Sequence, residues 1–155
     1  MTLNRKKKTM ERPELIQQIK KYFTLEELAC PHSVAYFGDR AWGFFRQDYL
    51  ETLLFLRRHF NTPMYCNHAG LTQRGSRCNL CEIVATRKSP YVSAHVLWCA
   101  GDFTFEGYTA EEVRSEIKGI AHLLPCPVRL EKGVSWVHLD TSAYCQTGKV
   151  TEFAV

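Results

Sequence analysis

Three side chains that can bind a divalent metal ion stand in the second half of the chain. His95 and Asp102 are seven residues apart in "SAHVLWCAGDF", and His138 lies within "SWVHLD". Two imidazoles and one carboxylate suit an open zinc site, which has three protein ligands and keeps one coordination position for water. The residue types therefore suit one shared metal ion if the fold brings the three side chains together; the alternative is two histidines that are surface or hydrogen-bonded core residues, as most histidines in proteins are.

The predicted elements around these residues can bring them together. Residues 91–105, "YVSAHVLWCAGDFTF", read as strand, turn and strand, so a hairpin would place His95 beside Asp102. The segment "VSWVHLDTS" alternates with a period of two. One face of that strand then carries Trp136, His138 and Asp140. A carboxylate on the same face as a ligating histidine can orient its imidazole from the outside, and we expect Asp140 to do so.

Helices dominate the first half of the chain and strands the second half. Capping boxes, apolar spacing and prolines predict four helices: one from Pro13 to about Phe23, one over "TLEELA", one over "DYLETLLFLRRHF" and one over "GYTAEEVRSEIKGIAHLL". "PMYCN" reads as a short strand, and a long polar segment follows from His68 to about Pro90. This order predicts an α+β fold with an antiparallel sheet packed against helices. We expect a basic tail over residues 1–12 and one domain over residues 13–155.

These motifs resemble those of the M15-type zinc metallopeptidases, the D-alanyl-D-alanine carboxypeptidase family, which has the Hedgehog/DD-peptidase fold. "SAHVLWCAGD" is similar to the signature Ser-x-His-x-x-Gly-x-Ala-x-Asp, with Trp98 in place of its glycine. "WVHLD" is similar to the segment that supplies the third ligand. "YFTLEELAC" resembles the opening helix of small phage and bacterial members, and "TQRGSRCN" resembles a segment in which an arginine, here Arg74, precedes an asparagine, here Asn79.

The resemblance implies a zinc-dependent peptidase that cleaves peptidoglycan peptides, as a carboxypeptidase or as an endopeptidase of the endolysin type. Zinc would be held by His95, Asp102 and His138. Arg74 would bind a substrate carboxylate or stabilise the oxyanion, because a guanidinium offers a planar fork of donors, or else it forms a salt bridge that orders its loop. Further substrate contacts are expected from Ser93 and Trp136.

The residue that would shuttle the proton is less evident from the sequence. Relatives carry an acidic residue three positions before the last ligand or a histidine two before it, where this chain has Ser135 and Trp136. Glu131 is the nearest acid upstream of His138, and Asp140 is the other candidate. The alternative is therefore a catalytically weak or inactive virion or assembly component built on the same metal-binding fold.

Seven cysteines are many for 155 residues, and their number is odd. With no signal peptide predicted, we expect reduced thiols rather than a disulfide framework. "CNHAGLTQRGSRCNLC" contains a possible second, structural zinc site made of Cys66, His68, Cys78 and Cys81. "CPH", with Cys30 and His32, raises the same possibility with less support.

Composition excludes several other classes of protein. The apolar share of 45% and the charged share of 23% are those of a globular domain, and no apolar run is long enough to span a membrane. The net charge of +4 comes mostly from Arg5 to Lys8, a run without the interleaved aromatic residues that read bases, so a nucleic-acid partner is the weakest expectation. We expect synthesis in the cytoplasm, followed by association with a virion or release to the cell wall at lysis, with other virion proteins as further partners.

Overall fold

The structure is a computed structural model that describes residues 9–155 of the chain. Of the predicted basic tail, residues 1–8 lie outside this range. The next residues already belong to the domain, because Met10 packs on the hydrophobic core and the Arg12 guanidinium donates to the carbonyls of Trp42, Gly43 and Phe45. The first helix begins at Arg12.

The helices form a layer that covers one face of the sheet. They are α1 (Arg12–Ile19), α2 (Leu25–Leu28), α3 (Pro31–Phe37), α4 (Gln47–Phe60), α5 (Glu82–Ala85) and α6 (Ala110–Gly119), with 3-10 turns at Gly38–Phe44 and Ala121–Leu123. The two predicted capping boxes are present, from Thr24 to Glu27 and from Thr109 to Glu112. α4 is the central helix, since Tyr49, Leu50 and Leu53 on its inner face are fully buried.

Within residues 9–155, five short strands form one sheet. They are β1 (Met64–Tyr65), β2 (Ala100–Phe105), β3 (Val128–Glu131), β4 (Val137–Asp140) and β5 (Val150–Phe153), in the order β1-β2-β4-β3-β5. β2 and β4 pair antiparallel with Asp102 opposite His138, and β3 pairs antiparallel with β4. β5 lies parallel to β3 at the edge.

The structure confirms the α+β class and corrects two details. The sheet is mixed rather than antiparallel throughout, because β5, which the pattern did not predict, runs parallel to β3. The expected strand before Cys99 is a turn, and only residues 100–105 are extended. This turn passes through a left-handed residue, Trp98, which a regular strand does not contain.

Candidate functional site

His95, Asp102 and His138 converge as the sequence predicts, although His95 reaches the site from the turn and not from a strand. One donor atom of each residue lies within 4.8 Å of the others. His95 Nε2 is 3.5 Å from Asp102 Oδ1, and His138 Nδ1 is 2.9 Å from the same oxygen. Asp102 and His138 are direct cross-strand partners, so the sheet register alone places two of the three donors side by side.

Each imidazole is held from the outside by its other nitrogen. His95 Nδ1 lies 2.9 Å from the Gly75 carbonyl oxygen, and His138 Nε2 lies 2.8 Å from Asp140 Oδ2. Metal-binding histidines are usually fixed in this way, by a carbonyl or a carboxylate on the far nitrogen. The inner nitrogens of both rings are therefore directed towards Asp102.

The inner atoms of this cluster are held around the Asp102 carboxylate. Because a carbonyl oxygen can only accept, His95 donates Nδ1–H to Gly75 and directs Nε2 towards Asp102. Burial lowers the pKa of His138, but hydrogen bonds to Asp102 and Asp140 outweigh it and raise that pKa to about 9. Burial likewise opposes ionisation of Asp102, yet its hydrogen bonds with the two histidines hold its pKa well below the usual range. This donor set fits a divalent cation such as zinc.

A buried ion pair supports His138 from behind. Arg129 donates to both carboxylate oxygens of Asp140 at 2.9 Å, and the backbone N–H of Ser142 adds a third donor. Although burial raises the pKa of Asp140, these contacts and His138 lower it below its ordinary value. Asp140 thus remains a carboxylate that orients the imidazole, as the sequence suggested. This engagement leaves it poorly placed to act as a general base.

Glu131 lies next to the metal donors on the same face of the sheet. β3 pairs with β4 through Arg129 opposite Asp140, and extending this register by one step sets Glu131 opposite His138. Directly opposed residues have Cβ atoms about 4.5–5.5 Å apart. The strand order therefore gives the row Asp102, His138, Glu131 and Phe153 across four strands.

This row forms part of the floor of a cleft of about 890 Å³. Its lining includes the three metal donors, Glu131 and the two residues predicted to contact substrate, Ser93 and Trp136. Tyr91, Tyr144 and Phe153 contribute aromatic rings. The metal donors are therefore reachable from solvent even though His95 and His138 are themselves buried.

Among the described residues, two arginines line the cleft, Arg77 and Arg129, and the predicted Arg74 is not one of them. Arg74 does not line the cleft; its guanidinium lies 3.4 Å from Thr104 Oγ1 on the exposed side of β2. Arg77 is 8% exposed, lines the cleft and lies 3.6 Å from Asp102 Oδ2. Both arginines precede Asn79 in the same motif, so local spacing did not distinguish them.

Trp98, the departure from the family signature, has the backbone conformation that glycine favours. Its φ is +57°, in the left-handed region that side chains other than glycine rarely adopt. The indole packs against Phe44 and Phe45, at ring separations of 5.2 and 4.8 Å, and the Trp98 carbonyl accepts from Arg46 N–H. The turn therefore has a left-handed residue whose side chain is packed against two aromatic rings.

The second predicted metal set is divided by the fold. Cys78 and Cys81 come together with Cys30 and His32, all four donor atoms lying within 4.8 Å of one another. Cys66 instead lies in the hydrophobic core and is not among the four clustered donors. His68 is exposed and stacks on Tyr65. The expected pairing of Cys66 and His68 with the Cys-x-x-Cys segment is therefore wrong.

Comparison with known proteins assigns no family to the chain. No family model matches it, and no curated protein and no solved structure gives a significant match. Within residues 9–155, none of the helices combines the length and the apolar character needed to cross a membrane.

Proposed function

We propose that the chain is a zinc-dependent peptidase that cleaves peptidoglycan peptides, as a D-alanyl-D-alanine carboxypeptidase or an endopeptidase. The observation that carries this proposal is the convergence of His95, Asp102 and His138 in an open cleft. Both imidazoles have their outer nitrogen fixed, and the sequence signature that introduces His95 and Asp102 is similar to that of the carboxypeptidase family.

The cleft has features that suit a short peptide. Its walls combine aromatic and apolar side chains with the charged groups of Arg77 and Arg129. Arg129 is held by Asp140 and by the Tyr144 carbonyl. Arg77 donates from Nε to the Gln73 carbonyl and from Nη1 to the Tyr91 hydroxyl at 3.4 Å, and its Nη2 lies 3.6 Å from Asp102 Oδ2 beside the metal donors. We assign Arg77 the role that the resemblance gave to Arg74, which is to bind a substrate carboxylate or the developing oxyanion.

Zinc, when bound, would polarise the scissile carbonyl and lower the pKa of its water to about 7. The chain's own residues would do the rest. Glu131, beside His138 in the sheet, would take the proton of the attacking water and return it to the leaving amine. Asp140 and the Gly75 carbonyl would keep the two imidazoles oriented, and Ser93 and Trp136 would position the peptide.

The test is hydrolysis of defined muropeptides that end in D-Ala-D-Ala, together with intact peptidoglycan. We expect release of D-alanine or of peptide fragments that stops with a chelator and returns with zinc. The variant His138→Ala should lose this activity, whereas His122→Ala, which removes an exposed histidine away from the cleft, should keep it.

Absence of turnover by metal-loaded protein, with zinc and with other divalent ions, would overturn the peptidase proposal. Such a result would favour the alternative of a virion or assembly component. Ser135 and Trp136, at the positions where relatives carry the proton-transfer residue, are the observation behind that alternative.

A further inference from the structure

We infer that Cys30, His32, Cys78 and Cys81 form a second metal site, a closed structural zinc site that attaches the polar segment 66–90 to the helical layer. The site is separate from the cleft and does not depend on the proposed peptidase activity. Its ligand set, three thiolates and one imidazole, is one of the usual combinations of structural zinc sites, which have four protein ligands and no open position.

The separations between the donor atoms fit a tetrahedron around zinc. With Zn–S of about 2.3 Å and Zn–N of about 2.0–2.1 Å, tetrahedral geometry sets S···S at about 3.8 Å and S···N at about 3.6 Å. The Sγ atoms of Cys78 and Cys81 are 4.0 Å apart, and Cys81 Sγ is 3.8 Å from His32 Nδ1. A disulfide would need the two sulfurs at about 2.05 Å, half the observed separation.

The backbone brings the two halves of the site together. Ala29 and Ser76 form a parallel bridge, in which Cys30 N–H donates to the Ser76 carbonyl and Ser76 N–H donates to the Leu28 carbonyl. Because the bridge is parallel, both chains leave it in the same direction. The ligands that follow, at positions 30 and 32 on one side and 78 and 81 on the other, therefore arrive at the same end.

Hydrogen-bond donors surround the sulfur atoms. Leu80 N–H donates to Cys78 Sγ and Cys78 N–H donates to Cys81 Sγ, each at 3.4 Å. The Ser33 hydroxyl lies 3.2 Å from Cys30 Sγ. Backbone N–H groups directed at sulfur stabilise a thiolate more than a thiol, and outer contacts of this kind orient metal ligands. Cys30 and Cys81 are buried, so the site is closed on the protein side, and His32 completes it at the surface.

A metal ion here would stabilise the segment 66–90, which contains little regular structure of its own. Its one helix, α5, is a single turn with no buried residue. The segment nevertheless supplies two contacts to the cleft: the Gly75 carbonyl, which holds His95, and the Arg77 guanidinium near Asp102. A metal bound one residue beyond Arg77 would fix both contacts without taking part in chemistry.

The metal content of the purified protein tests this inference directly. Protein purified under reducing conditions without chelator should contain two zinc ions per chain. His138→Ala should retain one, and that one should persist whether or not the chain proves to be a peptidase. Cobalt substituted into this variant should produce the intense near-ultraviolet charge-transfer bands of thiolate ligation, which the His95–Asp102–His138 set cannot produce.

Absence of metal from folded His138→Ala, cobalt spectra without thiolate bands, or a Cys78–Cys81 disulfide found by mass spectrometry in protein purified this way would each overturn the inference.

Two exposed histidines provide a matched pair that does not endanger the fold. His32→Ala should weaken zinc binding at the cysteine site by at least about 10–100-fold, the cost of altering outer contacts alone. His68→Ala, which removes the histidine suggested by sequence spacing, should leave affinity and the cobalt spectrum unchanged. Cys145→Ser, at an exposed thiol, should likewise retain both zinc ions. Equal zinc affinity in His32→Ala and His68→Ala would contradict the proposed ligand set.

Discussion

The two clusters of metal-binding side chains in this molecule differ in how they are built. The histidine–aspartate cluster has three donors, two of them on paired strands, and opens to a large cleft. The cysteine–histidine cluster has four donors, which lie in the first turn of α3, at helix starts and in the polar segment, and two of its thiols are buried. Three donors with access to solvent leave a coordination position for water, whereas four donors close the ion off. The contrast associates the first cluster with chemistry and the second with stability.

The largest expected effect concerns chemistry at the open cluster. Glu131→Gln keeps the size of the side chain but removes the carboxylate that would transfer the proton. We expect kcat to fall by about 10²–10⁴-fold while KM changes little, because general acid–base catalysis contributes about that much. Zinc content should remain that of the wild type, as measured by elemental analysis. Unchanged kcat would remove Glu131 from the mechanism and reduce the distinction between the two clusters.

The free energy of unfolding should fall most when a ligand of the closed cluster is removed. Cys81→Ser removes one thiolate, and we expect a loss of about 4 kcal/mol in the free energy of unfolding when free zinc exceeds the dissociation constant about a thousandfold. Chemical denaturation with and without zinc measures this loss. His138→Ala should lose less of this zinc-dependent stability, because its cysteine cluster is intact and only its open cluster is disrupted. A larger loss of zinc-dependent stability in His138→Ala would reverse the comparison.

Gly75 connects the two clusters, and its substitution tests that connection. A Cβ at this position would lie 2.2 Å from the Leu28 carbonyl oxygen, so the parallel bridge would have to shift. We expect Gly75→Ala to destabilise the fold by about 1–3 kcal/mol and to weaken zinc binding at both clusters. Gly148→Ala is the control, since an added Cβ there meets no atom within 4 Å. Separate zinc titrations, followed by cobalt spectra, distinguish loss at one cluster from loss at both.

The smallest effect expected is the difference in stability between two substitutions of Trp98, in the strained turn. Trp98→Ala should cost about 2–3 kcal/mol, because the indole loses its contacts with Phe44 and Phe45. Trp98→Gly should be more stable than Trp98→Ala by about 1 kcal/mol, since glycine adopts a positive φ without strain. At most other positions glycine destabilises a fold more than alanine does. The difference in thermal unfolding between Trp98→Gly and Trp98→Ala therefore measures the backbone strain at this position. The opposite order of stabilities would show that the turn relaxes.

Sequence periodicity identified the open cluster because regular strands build most of it. The alternation around His138 gives its face, and the capped α6 and the apolar stripe of α4 give the packing behind the sheet. Periodicity could not find the ligand partners of Cys78. Their position depends on a bridge between residues 29 and 76, which is a tertiary contact without a local pattern. β3 and β5 were not predicted either, because their place depends on pairing with β4 and with each other, which is again a tertiary contact.

Arg114, on the opposite side of the sheet from the cleft, binds the loop between β3 and β4. It comes from α6, is 4% exposed, and donates to the carbonyls of Glu131, Val134 and Trp136 across the connection between β3 and β4. A single side chain thus holds the loop that connects Glu131, at the end of β3, to β4, the strand of His138. A change in α6 at this point would shift Glu131 relative to His138, and would therefore act on the proposed proton transfer from outside the cleft.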